Sequence, residues 1–318
     1  MTKTATADSR ERLWNPQYWK VMITNFLLFF AFYLLTPLLP IYLDRQFQAD
    51  KDMIGLVLSG YVVATFLVRP FSGFLIDSFN RKKVLIICFL AFFICFAGYI
   101  GASTLLMFAI VRTLHGIPFG AATVANSTVA IDVLPSSRRN EGIGFYGLSN
   151  NLAMAIAPTA GIYIYNLTDN FELLFWISLF LAMAGFICST TVKIPARELK
   201  QGKPRLDLDH FFLSRAWLMA LNICLFGLCW GVMSNYVAIY GQQGLGITDG
   251  TGIFFAVLSL GLVLSRLSGH KALRKGKLTQ SCSQGVVTSL LGYTLFAMAI
   301  NRWTYFASAL LIGLGNGR

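Results

Sequence analysis

The sequence predicts an all-α membrane protein made of two related groups of hydrophobic helices. Three observations carry this expectation. The 318-residue chain is 56% hydrophobic and 13% charged, with a mean hydropathy of +0.63, more apolar surface than a soluble domain can hide. The apolar residues collect in ten runs near 20 residues long, enough to cross a hydrocarbon layer of roughly 30 Å at about 1.5 Å per residue. One spacing of 197 residues relates Arg69 to Arg266, Asn25 to Asn222, Gly55 to Gly252, Gly116 to Gly313 and Gly120 to Gly317. Such a spacing marks a duplicated unit. A duplicated membrane bundle with charge at its inner seams is the architecture of carriers whose halves rock around a central site.

Segment 1–20, MTKTATADSRERLWNPQYWK, is polar. The first span, 21–42, is too long for a signal peptide and lacks a small-residue cleavage site. Asn25, Tyr33 and Thr36 are its polar members, and Pro37 and Pro40 stand in its tail, TPLLPIYL. The second span, 53–75, carries Arg69 and leads into the turn RPFSGFLIDSFNRKKVL (69–85). The third and fourth spans cover 84–101 and 104–125. Arg112 lies about nine residues into the fourth, roughly 13 Å below its outer end. An ionised Arg at that depth is costly unless it faces the bundle interior or water. It either caps backbone carbonyls of the first span, or meets an anionic substrate group or a proton path. His115, one turn on, is a packed core residue or a titrating group. Gly116 and Gly120 make a small face for close helix packing.

The fifth and sixth spans cover 143–167 and 173–192. Pro158 frees a carbonyl in the fifth and permits a bend. Segment 193–215 is the longest polar stretch between spans, and reads as a connector between a first half, 21–192, and a second half beginning at 216. The last four spans are 217–240, 252–267, 284–300 and a run from 303. Asn222, Trp230, Ser234, Asn235 and Tyr236 are the polar and aromatic members of the seventh. Shifting the first half by the repeat spacing places the end of the second near residue 389. The expectation is therefore an incomplete second half, 216–318, C-terminally truncated partway through a helix, rather than a family of ten spans.

The net charge of +12 does not point to nucleic acid, because nineteen of the 26 Lys and Arg gather in the N-terminal segment and alternate loops. Arg81, Lys82 and Lys83 follow the second span, Arg138 and Arg139 the fourth, and six basic residues occupy the connector. The positive-inside rule puts these loops and the N-terminus in the cytoplasm. The six cysteines form no metal-type CxxC pair and read as small apolar side chains. No metal site, cofactor, phosphate-cradling loop or catalytic constellation is expected. His115, His210 and His270 lie on separate segments. All 14 acids fall outside the apolar middle of a span, although a proton-driven carrier commonly uses a buried carboxylate. The proton carrier would then be His115, an acid beyond residue 318, or nothing, as in a facilitator.

At residues 69–85 the chain resembles the major facilitator superfamily, whose turn between the second and third helices reads G-x-L-x-D-R-x-G-R-K-x-x-L. Gly73, Leu75, Asp77, Arg81, Lys82 and Leu85 match. Ser78 and Asn80 depart from the usual basic residue and glycine, Asn being the next best residue for a positive-φ turn. The turn SGHKALRKGK (268–277) is a weaker copy, with Leu273 in place of the acid. The resemblance implies a latch of Asp77, Arg81 and Asp132 on the outward-open state, with Gly73 and Lys82 in the same turn. Arg112, Gly116 and Gly120 resemble the family's fourth helix. Gly144, Pro158 and Gly161 match a fifth-helix pattern of its efflux branches, with Ala153 and Ala157 where Gly is usual. The Pro37–Pro40 spacing resembles the drug exporters.

Because helices 1, 4, 7 and 10 line the cavity in this family, the resemblance makes Asn25, Tyr33, Arg112, His115, Asn222, Trp230 and Asn235 cavity candidates. It implies a monomeric plasma (inner) membrane carrier that moves a small organic solute by alternating access, efflux favoured, with a proton as candidate coupling ion. Sugar or metabolite uptake, or facilitated diffusion, is the alternative. A non-transporting membrane protein, made so by truncation, is the alternative of another class.

Overall fold

The computed structural model describes residues 13–195, 217–247, 250–274 and 277–317. The N-terminal residues before these and nearly all of the 193–215 connector lie outside them. Every described span is helical. The first apolar run becomes two helices, α1 (Pro16–Leu35) and α2 (Leu39–Phe47). Pro37, which has no N–H to donate, sits in the break, and Pro40 stands in the first turn of α2, where a missing N–H costs nothing. Then follow α3 (Lys51–Ser78), α4 (Arg81–Ile100), α5 (Leu105–Val133), α6 (Arg139–Thr168) and α7 (Phe171–Thr191). The second group comprises α8 (Trp217–Ile239), α9 (Gly250–Arg274), α10 (Leu278–Ala297) and α11 (Arg302–Asn316). Each of the ten predicted runs falls on one of these helices or, for the first, on a helix pair.

The starts of the helices are written locally. Asn15, Asp50, Thr104, Asn170 and Asn301 each accept a backbone N–H three residues on, closing donors that a helix start leaves open. Asn80 does the same for α4, taking the N–H groups of Lys82 and Lys83 at φ −63°. This corrects the reading of Asn80 as a positive-φ turn residue: its amide caps the next helix, a task the usual glycine could not perform.

Six helical stretches among the described residues are long and apolar enough to cross a membrane by length and composition: α1, α3, α4, α5, α7 and residues 252–269 of α9. Ten were expected. Helix α6 carries Glu141, Asn150 and Asn151, and it is the helix that faces the second group, where polar side chains need not meet lipid.

Each group has its own core. Tyr42, Phe89, Phe92, Phe96 and Phe108 anchor the first, and Phe254, Leu258, Tyr305 and Ile312 the second. In the first, α3 packs on α5, and α1 on both α6 and α7. In the second, α9 and α10 both pack on α11. The duplication appears at atomic detail. A Cβ added at Gly116 would run into the Tyr61 carbonyl, and one at Gly313 into the Leu258 carbonyl, itself 197 positions from Tyr61. A Cβ at Gly120 would stand 3.1 Å from the Thr65 carbonyl, and one at Gly317 3.0 Å from the Leu262 carbonyl, again 197 positions apart. The groups meet where α6 packs against α9.

One end of the first group collects the basic turn. Asn15 donates to the Val133 carbonyl, Tyr18 to the Gly142 carbonyl and Lys20 to the Thr191 carbonyl, while the Lys193 N–H reaches Gln17. The other end holds the Arg45–Asp169 pair at 3.0 Å.

Candidate functional site

At the basic end, Arg81 in the first turn of α4 binds two acids from different helices. Its Nη1 donates to both carboxylate oxygens of Asp132, at 2.5 and 2.6 Å, and its Nη2 to Asp77 at 2.9 Å. Asp77 closes α3 and Asp132 lies near the end of α5, so one guanidinium ties three helices together. Charge-assisted pairing of this geometry is the strong kind. The Arg81 side chain is 14% exposed, that of Asp132 23% and that of Asp77 63%, so Asp132 is the tighter partner. Lys82 is half-buried beside them, and a Cβ on Gly73 would meet nothing within 4 Å.

Arg112 on α5 is 4% exposed and His115 not at all. Tyr99, on α4, joins them: its hydroxyl lies 2.8 Å from His115 Nδ1 and accepts from Arg112 Nη1 at 3.3 Å. The guanidinium lies 4.3 Å from the Tyr61 ring centre and 5.3 Å from that of Phe32, so aromatic faces replace a counter-ion. Arg112 Nε and His115 Nε2 are buried without a partner. The sequence alternative in which Arg112 caps carbonyls of the first span is corrected here: the contact with α1 is to the Phe32 ring. Tyr99 went unnoticed in the sequence, because a tyrosine near a helix end reads as an interfacial anchor.

Asn25 is fully buried in a network of α1, α5 and α6. It donates to Ser149 at 2.9 Å and accepts from Tyr146 at 2.7 Å and Asn126 at 3.4 Å. Tyr33 is half-buried and stacks on Phe29. Asn222 is exposed and donates to the Leu218 carbonyl of its own helix. The side chain of Asn235 lies outside the described residues. Gly144 is buried, Pro158 lies inside α6, and a Cβ on Gly161 would collide with the Leu34 carbonyl of α1.

Between the groups, α6 and α9 run antiparallel and enclose a narrow cleft. Asn151 and Met154 line it from α6, Phe255, Leu258, Ser259 and Leu262 from α9, and Trp230 from α8. Trp230 is the cavity candidate that borders this cleft. One turn beyond Leu262, Arg266 reaches α6, its Nη2 3.3 Å from where a Cβ on Gly147 would stand. The adjacent pair Asn150–Asn151 in an apolar helix was the available sequence signal for this seam.

A family model described as Major Facilitator Superfamily matches residues 21–317. The staphylopine export protein of Staphylococcus aureus is 23% identical over 308 residues, covering 93% of this chain and 76% of its own length. The quinolone resistance protein NorA of Staphylococcus aureus is 21% identical over 258 residues, covering 77% of this chain and 66% of its own. Among solved structures, the human organic anion transporter MFSD10 (TETRAN) superposes with a TM-score of 0.81 at 15% identity, covering 95% of this chain and 84% of that one. The E. coli fucose:proton symporter FucP does so with a TM-score of 0.74 at 16% identity, covering 96% of this chain and 82% of that one. At these identities the two structures establish the fold alone.

Proposed function

Because this chain belongs to the major facilitator superfamily of multi-pass membrane transporters, we propose that it moves a small organic solute by alternating access, with export as its direction. The observation that carries this reading is the division into two repeat-related cores that meet along the α6–α9 seam. Residues 21–192 and 216–318 form the moving halves and 193–215 the connector. The seam bordered by Asn151, Ser259 and Trp230 is closed to about 20 Å³; on parting it would give an amphipathic solute both apolar and polar contacts.

The Asp77–Arg81–Asp132 cluster is the latch in this reading. It fixes the basic end of α3, α4 and α5, and Gly116 and Gly120 keep α3 close to α5. Gly144, Pro158 and Gly161 shape α6, which carries the seam. Asn25, Tyr33, Arg112, His115, Asn222 and Asn235 stay candidates for the solute path. The basic end faces the cytoplasm of a plasma (inner) membrane, as the charge bias requires.

Export is supported by a relative named for export and by the fifth-helix pattern. Proton coupling would fall to His115 among the titratable groups buried in mid-span. Facilitated movement is the second reading, favoured by the absence of a carboxylate in the middle of any described span.

The test uses the full chain in proteoliposomes loaded with a panel of radiolabelled amphipathic solutes, with and without an imposed proton gradient. Gradient-dependent accumulation against the solute gradient is expected. Equilibration unaffected by the gradient would establish the facilitator. No movement above empty liposomes for any solute would leave the non-transporting alternative standing.

A further inference from the structure

We propose that the α6–α9 seam contains an anion subsite, built on Arg266 and Asn150, that takes the carboxylate of an amphipathic organic anion. This deepens the transporter reading and rests on it. Arg266 belongs to the second half, yet its guanidinium lies against Gly147 of the first, where the missing side chain leaves it room. Its Nε is buried and has no hydrogen-bond partner, and neither has the buried Oδ1 of Asn150, one turn along α6 from Gly147. Each ion pair among the described residues is made by Arg45, Arg81 or Arg138, so no described acid compensates the Arg266 charge. Arg266 is half-buried, and a partly desolvated charge without a partner is costly, a cost that a ligand of opposite sign reduces.

The chemistry of the seam selects that partner. A guanidinium presents a planar fork of donors that matches a carboxylate in two-point contact. The Asn150 amide, one turn along α6 from the guanidinium's contact at Gly147, can donate through Nδ2 to the same carboxylate. One turn away, the cleft bordered by Trp230, Phe255 and Met154 has an open volume of only about 20 Å³, so it offers an apolar wall to an aromatic or aliphatic body once the halves part. A cationic solute would be repelled, and a neutral one would leave the guanidinium unpaired. Arg112 is not part of this subsite: it is enclosed by rings of the first half.

The experiment measures thermal stabilisation of the full chain in phosphatidylcholine nanodiscs. The probes are salicylate, its neutral analogue salicyl alcohol, and replacement of the lipid by phosphatidylglycerol. Salicylate is expected to stabilise the protein in a saturable way, and salicyl alcohol not to. Arg266→Gln should weaken the salicylate effect at least tenfold. Asn150→Asp places a fixed carboxylate one turn along α6 from Gly147, the residue the guanidinium lies against. It should raise the midpoint without ligand and also weaken salicylate at least tenfold, which separates loss of the site from loss of the fold.

Salicylate binding unchanged in both variants, or equal stabilisation by the alcohol, would overturn the proposal. So would stabilisation by phosphatidylglycerol to which salicylate adds nothing, because the guanidinium would then hold a lipid headgroup. Transport of neutral solutes by a protein that ignores salicylate removes the subsite and leaves the transporter reading intact. Salicylate binding that depends on Arg266, without movement of any solute, does the reverse.

Discussion

Arg81 shows how unequally one side chain divides its bonds. It makes two hydrogen bonds to Asp132 and one to Asp77, and the second acid is mostly in water. Solvent screens that arm, so Asp77→Asn is expected to cost about 1 kcal/mol of stability or less. Asp132→Asn should cost more, about 1–3 kcal/mol, because a largely buried guanidinium loses its main acceptor. If the cluster is a latch, both variants insert normally and both lose transport; thermal melts paired with proteoliposome flux check this. Normal flux in Asp77→Asn would reduce the cluster to an anchor of the basic turn. Tyr99→Phe removes one hydroxyl that serves two buried groups. A loss of about 1–3 kcal/mol is expected, read as a lowered melting midpoint, and an unchanged midpoint would mean that Arg112 is held by its aromatic faces alone.

Among the helices, the duplication makes a paired prediction. Gly116 and Gly313 each face a carbonyl of the neighbouring helix, at positions 197 apart. Gly116→Ala and Gly313→Ala should therefore both force α5 off α3 and α11 off α9, with sharply reduced yields of monodisperse protein. Gly55 and Gly252 share the same spacing, but a Cβ at either meets nothing within 4 Å. Gly55→Ala and Gly252→Ala should be tolerated or stabilising by up to about 1 kcal/mol, since alanine is the better helix former. Size-exclusion profiles of the four variants decide the matter. A tolerated Gly313→Ala beside an intolerant Gly116→Ala would show that the halves pack differently.

For the whole molecule, the hydrogen bonds of Asn15, Gln17 and Lys20 bring the ends of α5 and α7 to one level, and Arg81 brings the start of α4 to that level through Asp132. The Arg45–Asp169 pair lies at the opposite level. In a background with its six cysteines replaced, single cysteines at Lys83 and Lys193 should react with an impermeant maleimide from one face of the membrane, and one at Asp169 from the other. Labelling of Lys83→Cys and Lys193→Cys from opposite faces would refute the two-half arrangement.

Asn25 and Asn222 separate what each level of information could settle. The sequence established that both sit in apolar helices at equivalent places of a repeat, because period, length and spacing are local properties that hydrophobicity writes directly. The places of the apolar helices along the chain follow from the same local chemistry. Their surroundings were decided by tertiary structure alone: Asn25 meets Ser149, 124 positions away, in a closed network, whereas Asn222 turns back on its own helix. Arg266 is the same case, since its neighbour Gly147 belongs to the other half of the chain. A side chain's identity fixes which bonds it can make, but burial and pairing depend on groups that only packing brings within reach.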